Sequence, residues 1–402
     1  MNLHKFTERF LKYRSIWRGG RAWLIAPVLK TGKGKLFGGS NPSPSAKMKK
    51  IILITLFFSF AFGQGQNSLL KEVFLQNSSL ERFLAISDGP YIFIEKNKLI
   101  EKQIVNGMVF TKTLKTSSFD TTYTPEKSTF NNIKKIAALS DIHGQYDLVI
   151  KLFKNNKIID DNLNWSFGKG HLVITGDIFD RGDKVNEVLW LIYKLEAQAK
   201  NKGGRVHYLL GNHEYMILYN DLRYIHEKYK AAPILLNLEH KELYSDKTII
   251  GRWLRSKSTI VKINNNIFTH GGISEDFISY GDFNIEKIND IMRDSIPQSS
   301  EEINSNDFYK MYYSTKGLIW YRGYFKDNFT DTDISKILKL VDADHIVVGH
   351  TTNEKVVQLF NNKIFGVDSG LKSGKYGEVL IIENKRFLRG TLSGELIELV
   401  SY

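Results

Sequence analysis

The chain of 402 residues is 42% apolar and 25% charged, a composition that supports one or two globular domains and excludes a disordered or fibrous protein. It contains no cysteine, which excludes a disulfide scaffold, a cysteine-ligated zinc or iron–sulfur site, a cysteine nucleophile and the lipid-bearing cysteine of a bacterial lipoprotein. Any metal ion must therefore be held by Asp, Asn, Glu or His.

The net charge of +13 is concentrated at the beginning of the chain. Residues 1–50 contain twelve Lys or Arg and one acid, whereas the rest of the chain has a net charge of only +2. The charge of the N-terminal segment favours one alternative function, that of a basic nucleic-acid-binding or membrane-binding protein. The nearly neutral body predicts no nucleic-acid partner.

Residues 48–63 have the order of a secretory signal peptide. Two lysines are followed by an uncharged apolar run over residues 51–62 and by the small-x-small site Ala61-Phe62-Gly63. The run is too short to span ~30 Å of hydrocarbon, so we predict export to a bacterial periplasm or beyond, with no stable membrane anchor after cleavage. The structural alternative is a buried strand or helix.

Four regions follow from this organisation. Residues 1–47 precede the signal segment and are predicted to be a non-native or disordered basic extension, with the true start at Met48. Residues 64–132 are predicted to form an N-terminal hairpin and linker region, with turns near residues 95–98 and 106–107. Residues 133–402 are predicted to be the catalytic domain.

The catalytic region begins with three repeats of strand, polar loop and amphipathic helix. The strands are expected at residues 133–139, 171–175 and 205–210, which implies an α/β core with functional groups at the strand ends. Later strands at residues 260–268, 345–348 and 378–400 are expected to be antiparallel.

The loops after these strands are rich in residues that bind metals and transfer protons. They contain Asp141, His143, Asp177, Asp180, Arg181, Asn212, His213, His270 and His350. A mixed set of carboxylate, amide and imidazole ligands suits Mn²⁺, Fe or Zn²⁺ better than Ca²⁺. The structural alternative for the aspartates is helix capping, which does not explain the accompanying histidines.

These loops resemble the signatures of the metallophosphoesterases, in particular the branch of Ser/Thr-type phosphoprotein phosphatases. The matching segments are SDIHG at 140–144, GDIFDRG at 176–182, GNHE at 211–214, THGG around His270 and GHT around His350. The segments DGPYIF at 88–93, GLIWYRG at 317–323 and VDSG at 367–370 are similar to the bacterial-type Shewanella-like protein phosphatases. Ser140 stands where the family usually has Gly, a departure expected to leave the ligand side chains unaffected.

The resemblance implies a metallophosphoesterase fold, with two packed mixed β-sheets flanked by helices, and two divalent metal ions. Mn is the first expectation, with Fe and Zn as alternatives. Asp177 is the implied bridging ligand, with Asp141 and His143 on one ion. The implied ligands of the other ion are Asn212, His270 and His350. A hydroxide that bridges the ions would attack phosphorus directly, without a covalent intermediate.

Four further residues are implied to be catalytic. His213 would protonate the leaving oxygen, and Asp180 would orient its ring. Arg181 and Arg322 would bind the phosphate oxygens, because a guanidinium can contact two oxygens at once. The structural alternatives are a surface ion pair for Asp180 and Arg181, and a solvated side chain for Arg322.

The predicted function is metal-dependent hydrolysis of phosphomonoesters on a phosphorylated protein or peptide, at Ser/Thr or Tyr, or on a small phosphomonoester. The alternative within the same superfamily is a phosphoanhydride hydrolase that cleaves dinucleoside polyphosphates.

Overall fold

The computed structural model describes residues 85–296 and 298–400, so the predicted segments 1–47 and 48–63 lie outside the described residues. The strands there are β1 (Asp88–Glu95), β2 (Lys98–Val105), β3 (Met108–Leu114), β4 (Thr129–Phe130), β5 (Lys135–Leu139), β6 (His171–Ile174), β7 (Arg205–Tyr208), β8 (Ile260–Ile263), β9 (Asn266–Thr269), β10 (His345–Val348), β11 (Val357–Leu359), β12 (Ile364–Gly366), β13 (Val379–Glu383), β14 (Arg386–Gly390) and β15 (Leu396–Glu398).

The α-helices alternate with the strands from β5 to β7, and the others are grouped between β7 and β8 and between β9 and β10. They are α1 (Tyr146–Asn155), α2 (Val185–Asn201), α3 (Asn212–Leu218), α4 (Glu227–Leu236), α5 (His240–Leu243), α6 (Ile249–Arg255), α7 (Glu275–Tyr280), α8 (Ile285–Asp294), α9 (Ser300–Ser305), α10 (Asp307–Tyr313), α11 (Gly323–Lys326) and α12 (Asp331–Leu340). In this part of the chain no helix combines the length and the apolar character that a membrane crossing needs.

One six-stranded sheet has the order β15-β14-β13-β5-β6-β7. Strands β5, β6 and β7 are parallel, and β13 pairs with β5 in the antiparallel direction. The parallel strands are joined by α1 and α2, because strands that run in the same direction need a crossover connection. The three carboxyl ends therefore lie along the same edge of the sheet.

The other six-stranded sheet has the order β11-β12-β10-β9-β8-β4. Strands β8 and β9 form an antiparallel pair, as expected, but β10 is parallel to both of its neighbours, so the prediction of an antiparallel strand at 345–348 was wrong. The chain returns to β10 through helices α7–α12, and such a long crossover permits parallel pairing. The carboxyl end of β10 consequently lies beside that of β9.

Alternation along the strands explains how the two sheets pack. In β5, Ile136 and Ala138 join a cluster with residues of the second sheet such as Phe268. Ala137 and Leu139 point to the opposite face and belong to the helix-containing cluster. Both faces of the sheet are therefore buried, and the predicted arrangement of two mixed sheets flanked by helices is confirmed.

Strands β1, β2 and β3 form a separate antiparallel sheet that is attached to the core. The buried carboxylate of Asp88 lies 3.1 Å from Asn186 Nδ2 on α2 and 2.9 Å from Lys228 Nζ on α4. Trp190 Nε1 on α2 donates to Pro90 O at 2.9 Å. These contacts hold the small sheet against the helices that flank the first large sheet.

Candidate active site

The candidate site lies where the carboxyl ends of strands from both large sheets meet. The loops after β5 and β6 carry Asp141 and Asp177, and Asn212 is the first residue of α3, shortly after β7. The loops after β9 and β10 carry His270 and His350. Two backbone contacts join these loops: His350 N donates to Asp141 Oδ2 at 2.9 Å, and Gly349 N donates to His270 O at 2.8 Å. Residues separated by about 200 positions in the sequence thus form one buried cluster.

Asp177 occupies the centre of this cluster and is almost completely buried. Its Oδ2 atom lies 3.2 Å from His270 Nε2, 3.7 Å from His143 Nε2 and 3.8 Å from His213 Nε2. Gly211 leaves room for this carboxylate, because a Cβ atom at that position would lie 2.4 Å from Asp177 Oδ1. One carboxylate oxygen therefore faces three imidazole nitrogens.

His270 is oriented by the backbone and faces Asp177 and Asn212. Its Nδ1 atom donates to Thr175 O at 2.7 Å, and its Nε2 atom lies 2.7 Å from Asn212 Oδ1. The His350 ring lies 4.9 Å from the His270 ring, and its Nε2 atom is buried without a hydrogen-bond partner. Asp177, His270 and His350 each offer a ligand atom within 4.8 Å of the others.

His143 forms the other half of the cluster. Its Nδ1 atom donates to Phe179 O at 2.6 Å, and its Nε2 atom lies 3.7 Å from both Asp141 Oδ1 and Asp177 Oδ2. His143, Asp177 and His213 also form a group whose ligand atoms lie within 4.8 Å of one another. The sequence analysis assigned Asp141, but not His213, to the same metal ion as His143. The structure places both Asp141 and His213 near His143.

This donor set fits two divalent metal ions. It combines carboxylate and amide oxygens with imidazole nitrogens, the mixture that suits Mn²⁺, Fe and Zn²⁺. A buried imidazole nitrogen without a partner, such as His350 Nε2, is costly to keep unless it has a ligand. The sequence resemblance implies such ions, and the residues present are appropriate to hold them.

The buried charges shift one another's pKa values strongly. Burial alone would lower the pKa of His270, but the charge of Asp177 raises it to about 9. Burial, together with His270 and Arg322, lowers the pKa of His350 to about 2. The pKa of Asp177 is lowered despite its burial, chiefly by the charge of His270. The cluster therefore keeps its carboxylate ionised, the state in which it binds a cation.

His213 lies next to this cluster and is held by Asp180. Its Nδ1 atom is 2.5 Å from Asp180 Oδ2, and both side chains are buried. Burial by itself would lower the pKa of His213, but Asp177 and then Asp180 raise it. The ring can therefore carry a proton on Nε2, which points toward the cluster.

Ser140 contacts the candidate site directly, contrary to the expectation that it leaves the ligands unaffected. Its buried hydroxyl donates to Asp141 Oδ2 at 2.8 Å. The sequence motif could not show this contact, because side chains of adjacent residues meet only in particular backbone conformations. Asp141 has such a conformation, with a φ of 53°.

Arg181 and Tyr224 lie at the edge of the cluster. Arg181 Nε donates to His143 Nε2 at 3.2 Å, and the guanidinium lies 5.7 Å from the centre of the Tyr224 ring. That ring is 44% exposed and lies 5.4 Å from the His213 ring. The sequence analysis missed Tyr224, which stands in no motif.

Arg322 lies on the His350 side of the site and is half-buried. Its Nη1 atom donates to His350 O at 2.5 Å, and Nη2 lies 3.4 Å from His350 Nδ1. Burial lowers its pKa, while Asp141 and Asp368 raise it. The side chain is therefore fixed beside the cluster and is not solvated freely.

The last residue of GNHE, Glu214, has a function that the sequence analysis did not assign. This buried carboxylate accepts hydrogen bonds from Gly211 N, Asp177 N and Ile178 N at 2.7–2.8 Å and from Tyr208 OH at 2.8 Å. It ties the loop after β6, which carries Asp177, to the start of α3. Its position in a motif was the only available signal.

Backbone strain is concentrated in these loops. Six non-glycine site residues have left-handed φ angles, namely Asp141 (53°), His143 (46°), Asp177 (61°), Asp180 (71°), Arg181 (64°) and His350 (62°). Such conformations cost about 1–3 kcal/mol each and occur mainly where surrounding contacts enforce them at functional sites. They turn the polar side chains toward a common centre.

Comparison with known proteins identifies the class of protein. The family model for calcineurin-like phosphoesterases matches residues 134–353, more than half of the chain. The chain therefore belongs to that family, and the prediction that it is a phosphoesterase hydrolase is confirmed.

Three known proteins indicate which members of the family this chain is similar to. A solved structure described as the cold-active protein-tyrosine phosphatase of a psychrophilic Shewanella species is 41% identical, with a TM-score of 0.76, and the match covers 78% of this chain and all of that one. Shewanella-like protein phosphatase 1 of Plasmodium berghei is 28% identical over 71% of this chain and 76% of that protein. A symmetrical bis(5'-nucleosyl)-tetraphosphatase of Vibrio campbellii is 28% identical, but over only 34% of this chain and 44% of that protein. The predicted resemblance to Shewanella-like protein phosphatases is confirmed.

Proposed function

We propose that this chain is a dinuclear-metal-dependent phosphatase that hydrolyses phosphomonoesters on proteins or peptides. The observation that carries the proposal is the position of Asp177 Oδ2, which lies 3.2 Å from His270 Nε2 and 3.7 Å from His143 Nε2. A carboxylate between two sets of nitrogen and oxygen donors is the natural bridge for a pair of cations.

The residues would divide between two ions. Asp141 and His143 would bind one, Asp177 would bind both, and the other ion would take Asn212, His270 and His350. Bound divalent ions would supply Lewis-acid charge and lower the pKa of a water molecule so that it can attack phosphorus. Manganese is the first choice on the donor chemistry, with iron and zinc as alternatives.

His213 would be the general acid and not a metal ligand. Asp180 occupies its Nδ1 atom, so the proton on Nε2 is the one available to the leaving oxygen. Asp177 and Asp180 raise the pKa of the ring, which favours the protonated form that this role requires.

Arg181 and Arg322 would bind the non-reacting phosphate oxygens. Arg181 contacts His143, and Arg322 contacts His350. Fixed guanidinium groups stabilise charge that develops on phosphate oxygens, and they require little reorganisation during the reaction.

A phosphotyrosine substrate is supported by the description of a structural relative and by an exposed aromatic ring at the edge of the site. The structural relative with 41% identity is described as a protein-tyrosine phosphatase. Tyr224 presents an exposed aromatic ring beside Arg181 and His213, which favours an aromatic group next to the phosphate. We therefore propose phosphotyrosine in peptides as the preferred substrate, with phosphoserine and phosphothreonine as competitors.

The test is to load the protein lacking residues 1–63 with Mn²⁺ and measure the hydrolysis of five substrates. These are p-nitrophenyl phosphate, its bis-ester, and matched peptides that contain phosphoserine, phosphothreonine or phosphotyrosine. We expect metal-dependent turnover of the monoesters, the highest kcat/KM for the phosphotyrosine peptide, and little turnover of the bis-ester. Turnover that is unchanged after chelation would refute the dinuclear proposal.

The phosphoanhydride alternative is weaker. The relative that is a bis(5'-nucleosyl)-tetraphosphatase matches only about a third of this chain. A dinucleoside tetraphosphate belongs in the same assay, and a higher kcat/KM for it than for every phosphopeptide would favour this alternative.

We also propose that residues 48–63 direct export, so that the mature phosphatase acts outside the bacterial cytoplasm without a membrane anchor. The support is the order of two lysines, an apolar run and a small-x-small site. The intact mass of the protein from its native host tests this proposal, because retention of residues 48–63 in the mature product would contradict it. Nucleic-acid or vesicle binding by the full chain that is lost when residues 1–63 are removed would instead support the basic-segment alternative.

A further inference from the structure

Ser140 is a fully buried residue at the end of β5, directly before Asp141. Its hydroxyl donates to Asp141 Oδ2 at 2.8 Å, and the nearest other acceptor is Gly176 O at 3.5 Å. The carboxylate is therefore the main hydrogen-bond partner of this hydroxyl.

The two oxygens of Asp141 have different surroundings. Oδ2 accepts hydrogen bonds from Ser140 Oγ at 2.8 Å and from His350 N at 2.9 Å. Oδ1 lies 3.7 Å from His143 Nε2, within the candidate metal cluster. Because two donors hold Oδ2, rotation of the carboxylate is restricted and Oδ1 is kept toward the cluster.

The space around the hydroxyl depends on Gly349, the residue before His350. A Cβ atom at position 349 would lie 1.9 Å from Ser140 Oγ and 2.6 Å from Ser140 Cβ. The serine side chain thus fills the volume that the glycine leaves free. A hydroxyl at 140 and a glycine at 349 form a matched pair between the first and last loops of the site.

We propose that Ser140 is a positioning residue, which presents Asp141 Oδ1 to a metal ion by holding Oδ2. This inference rests on the proposed function, because it requires that Asp141 binds a metal. Partners that orient a metal ligand typically change affinity or activity about 10- to 100-fold when removed. A purely structural serine would change the stability of the protein without changing its affinity for metal.

The experiment measures Mn²⁺ binding to the metal-free protein without substrate, by the electron paramagnetic resonance signal of free Mn²⁺. Ser140→Ala removes only the hydroxyl and adds no atoms. The control is Ser128→Ala, which removes a hydroxyl–carboxylate bond of the same length, 2.8 Å, between the buried Ser128 and the exposed Glu286 on α8. Thermal unfolding of the metal-free proteins measures the cost to stability in both variants.

We expect Ser140→Ala to weaken the binding of one of two Mn²⁺ ions about 10- to 100-fold and Ser128→Ala to leave both affinities unchanged. The KM for p-nitrophenyl phosphate at saturating Mn²⁺ should change little, since Ser140 is fully buried. Wild-type affinity in Ser140→Ala would overturn the proposal, as would an equal loss in both variants. Failure of the wild-type protein to bind two ions would instead refute the proposed function.

A second variant separates packing from hydrogen bonding. The double substitution Ser140→Gly with Gly349→Ala moves the Cβ atom across the contact and removes the hydroxyl, and the new Cβ lies 3.0 Å from Asp141 Oδ2. If the hydroxyl positions Asp141, this variant should show the same weakened Mn²⁺ affinity as Ser140→Ala. Recovery of wild-type affinity would show that volume and not the hydrogen bond matters, which would overturn the proposal.

Discussion

Nδ1 of His213 lies 2.5 Å from Oδ2 of Asp180, and neither side chain is more than slightly exposed. The carboxylate fixes both the orientation of the ring and the nitrogen that faces the candidate metal cluster. The pair has the geometry in which an acid and its orienting group act together.

Replacement of His213 by Asn should lower kcat by on the order of 10² to 10⁴ while metal content is retained. The loss should be largest for alkyl phosphates, whose leaving groups need a proton, and smaller for p-nitrophenyl phosphate. Asp180→Asn should give a smaller loss in the same direction, because the ring keeps its acidic proton but loses its fixed orientation. Full activity of His213→Asn on an alkyl phosphate would contradict the assignment of the acid.

Replacement of Asp177 by Asn should weaken metal retention and abolish turnover, because the neutral amide cannot bridge two cations. Metal content after gel filtration and the hydrolysis of p-nitrophenyl phosphate measure the two effects. The matched control is Asp342→Asn, an exposed aspartate paired with Lys262. Retention of two equivalents of metal by Asp177→Asn would refute the bridging role.

Glu214→Gln should destabilise the protein by roughly 2–4 kcal/mol. An amide NH₂ group would replace a carboxylate oxygen that accepts hydrogen bonds from backbone N–H groups in the wild type, and two donors would then face each other. Denaturant unfolding at pH 7 measures this loss. We also expect weaker metal retention, since Glu214 holds the backbone of Asp177. The comparison is Glu302→Gln, an exposed capping residue on α9, which should cost about 1 kcal/mol or less and leave metal retention intact.

Acid should destabilise the protein through a buried histidine pair. His207 Nε2 lies 2.9 Å from His171 Nδ1, and burial lowers the pKa of His171 to about 4. A histidine in the unfolded chain has a pKa of about 6.5. Between about pH 4 and 6.5 the unfolded chain therefore binds a proton that the folded chain does not bind. This difference in protonation stabilises the folded protein by roughly 3 kcal/mol above about pH 6.5, and the stabilisation is lost as the pH falls toward 4.

Urea unfolding of the metal-free protein at several pH values between 7 and 4 measures this effect. The His171→Asn variant should lose less stability over that range than the wild type. The exposed His226→Asn variant serves as the comparison and should behave like the wild type. Equal slopes for His171→Asn and the wild type would show that the pair does not control the acid response.

Removal of the Tyr224 ring should raise the KM for a phosphotyrosine peptide several-fold and change kcat little. The reason is that the ring lies 5.4 Å from His213 but contacts no candidate metal ligand by hydrogen bond. Tyr224→Leu can be compared with Tyr280→Leu, which removes a similarly exposed ring from α7. An equal KM in Tyr224→Leu and the wild type would place the substrate elsewhere.

The sequence predicted most of the residues that the structure brings together at the candidate site, because short apolar strands that end in polar loops can be recognised locally. It placed the strands that precede Asp141, Asp177 and Asn212 to within about two residues at each end. It also found His270 and His350 after later strands, although neither the order of the strands nor their pairing could be read from periodicity.

The amino-acid sequence by itself determined the polar residues, the strand ends that carry them and the class of chemistry that they suit. Only the tertiary structure decided that β10 runs parallel to β9, that His350 lies beside Asp141, and that Ser140, Glu214 and Tyr224 belong to the site. The physical reason is that alternation and turn residues report local burial, whereas contacts between distant loops depend on crossover connections and on the packing of two sheets.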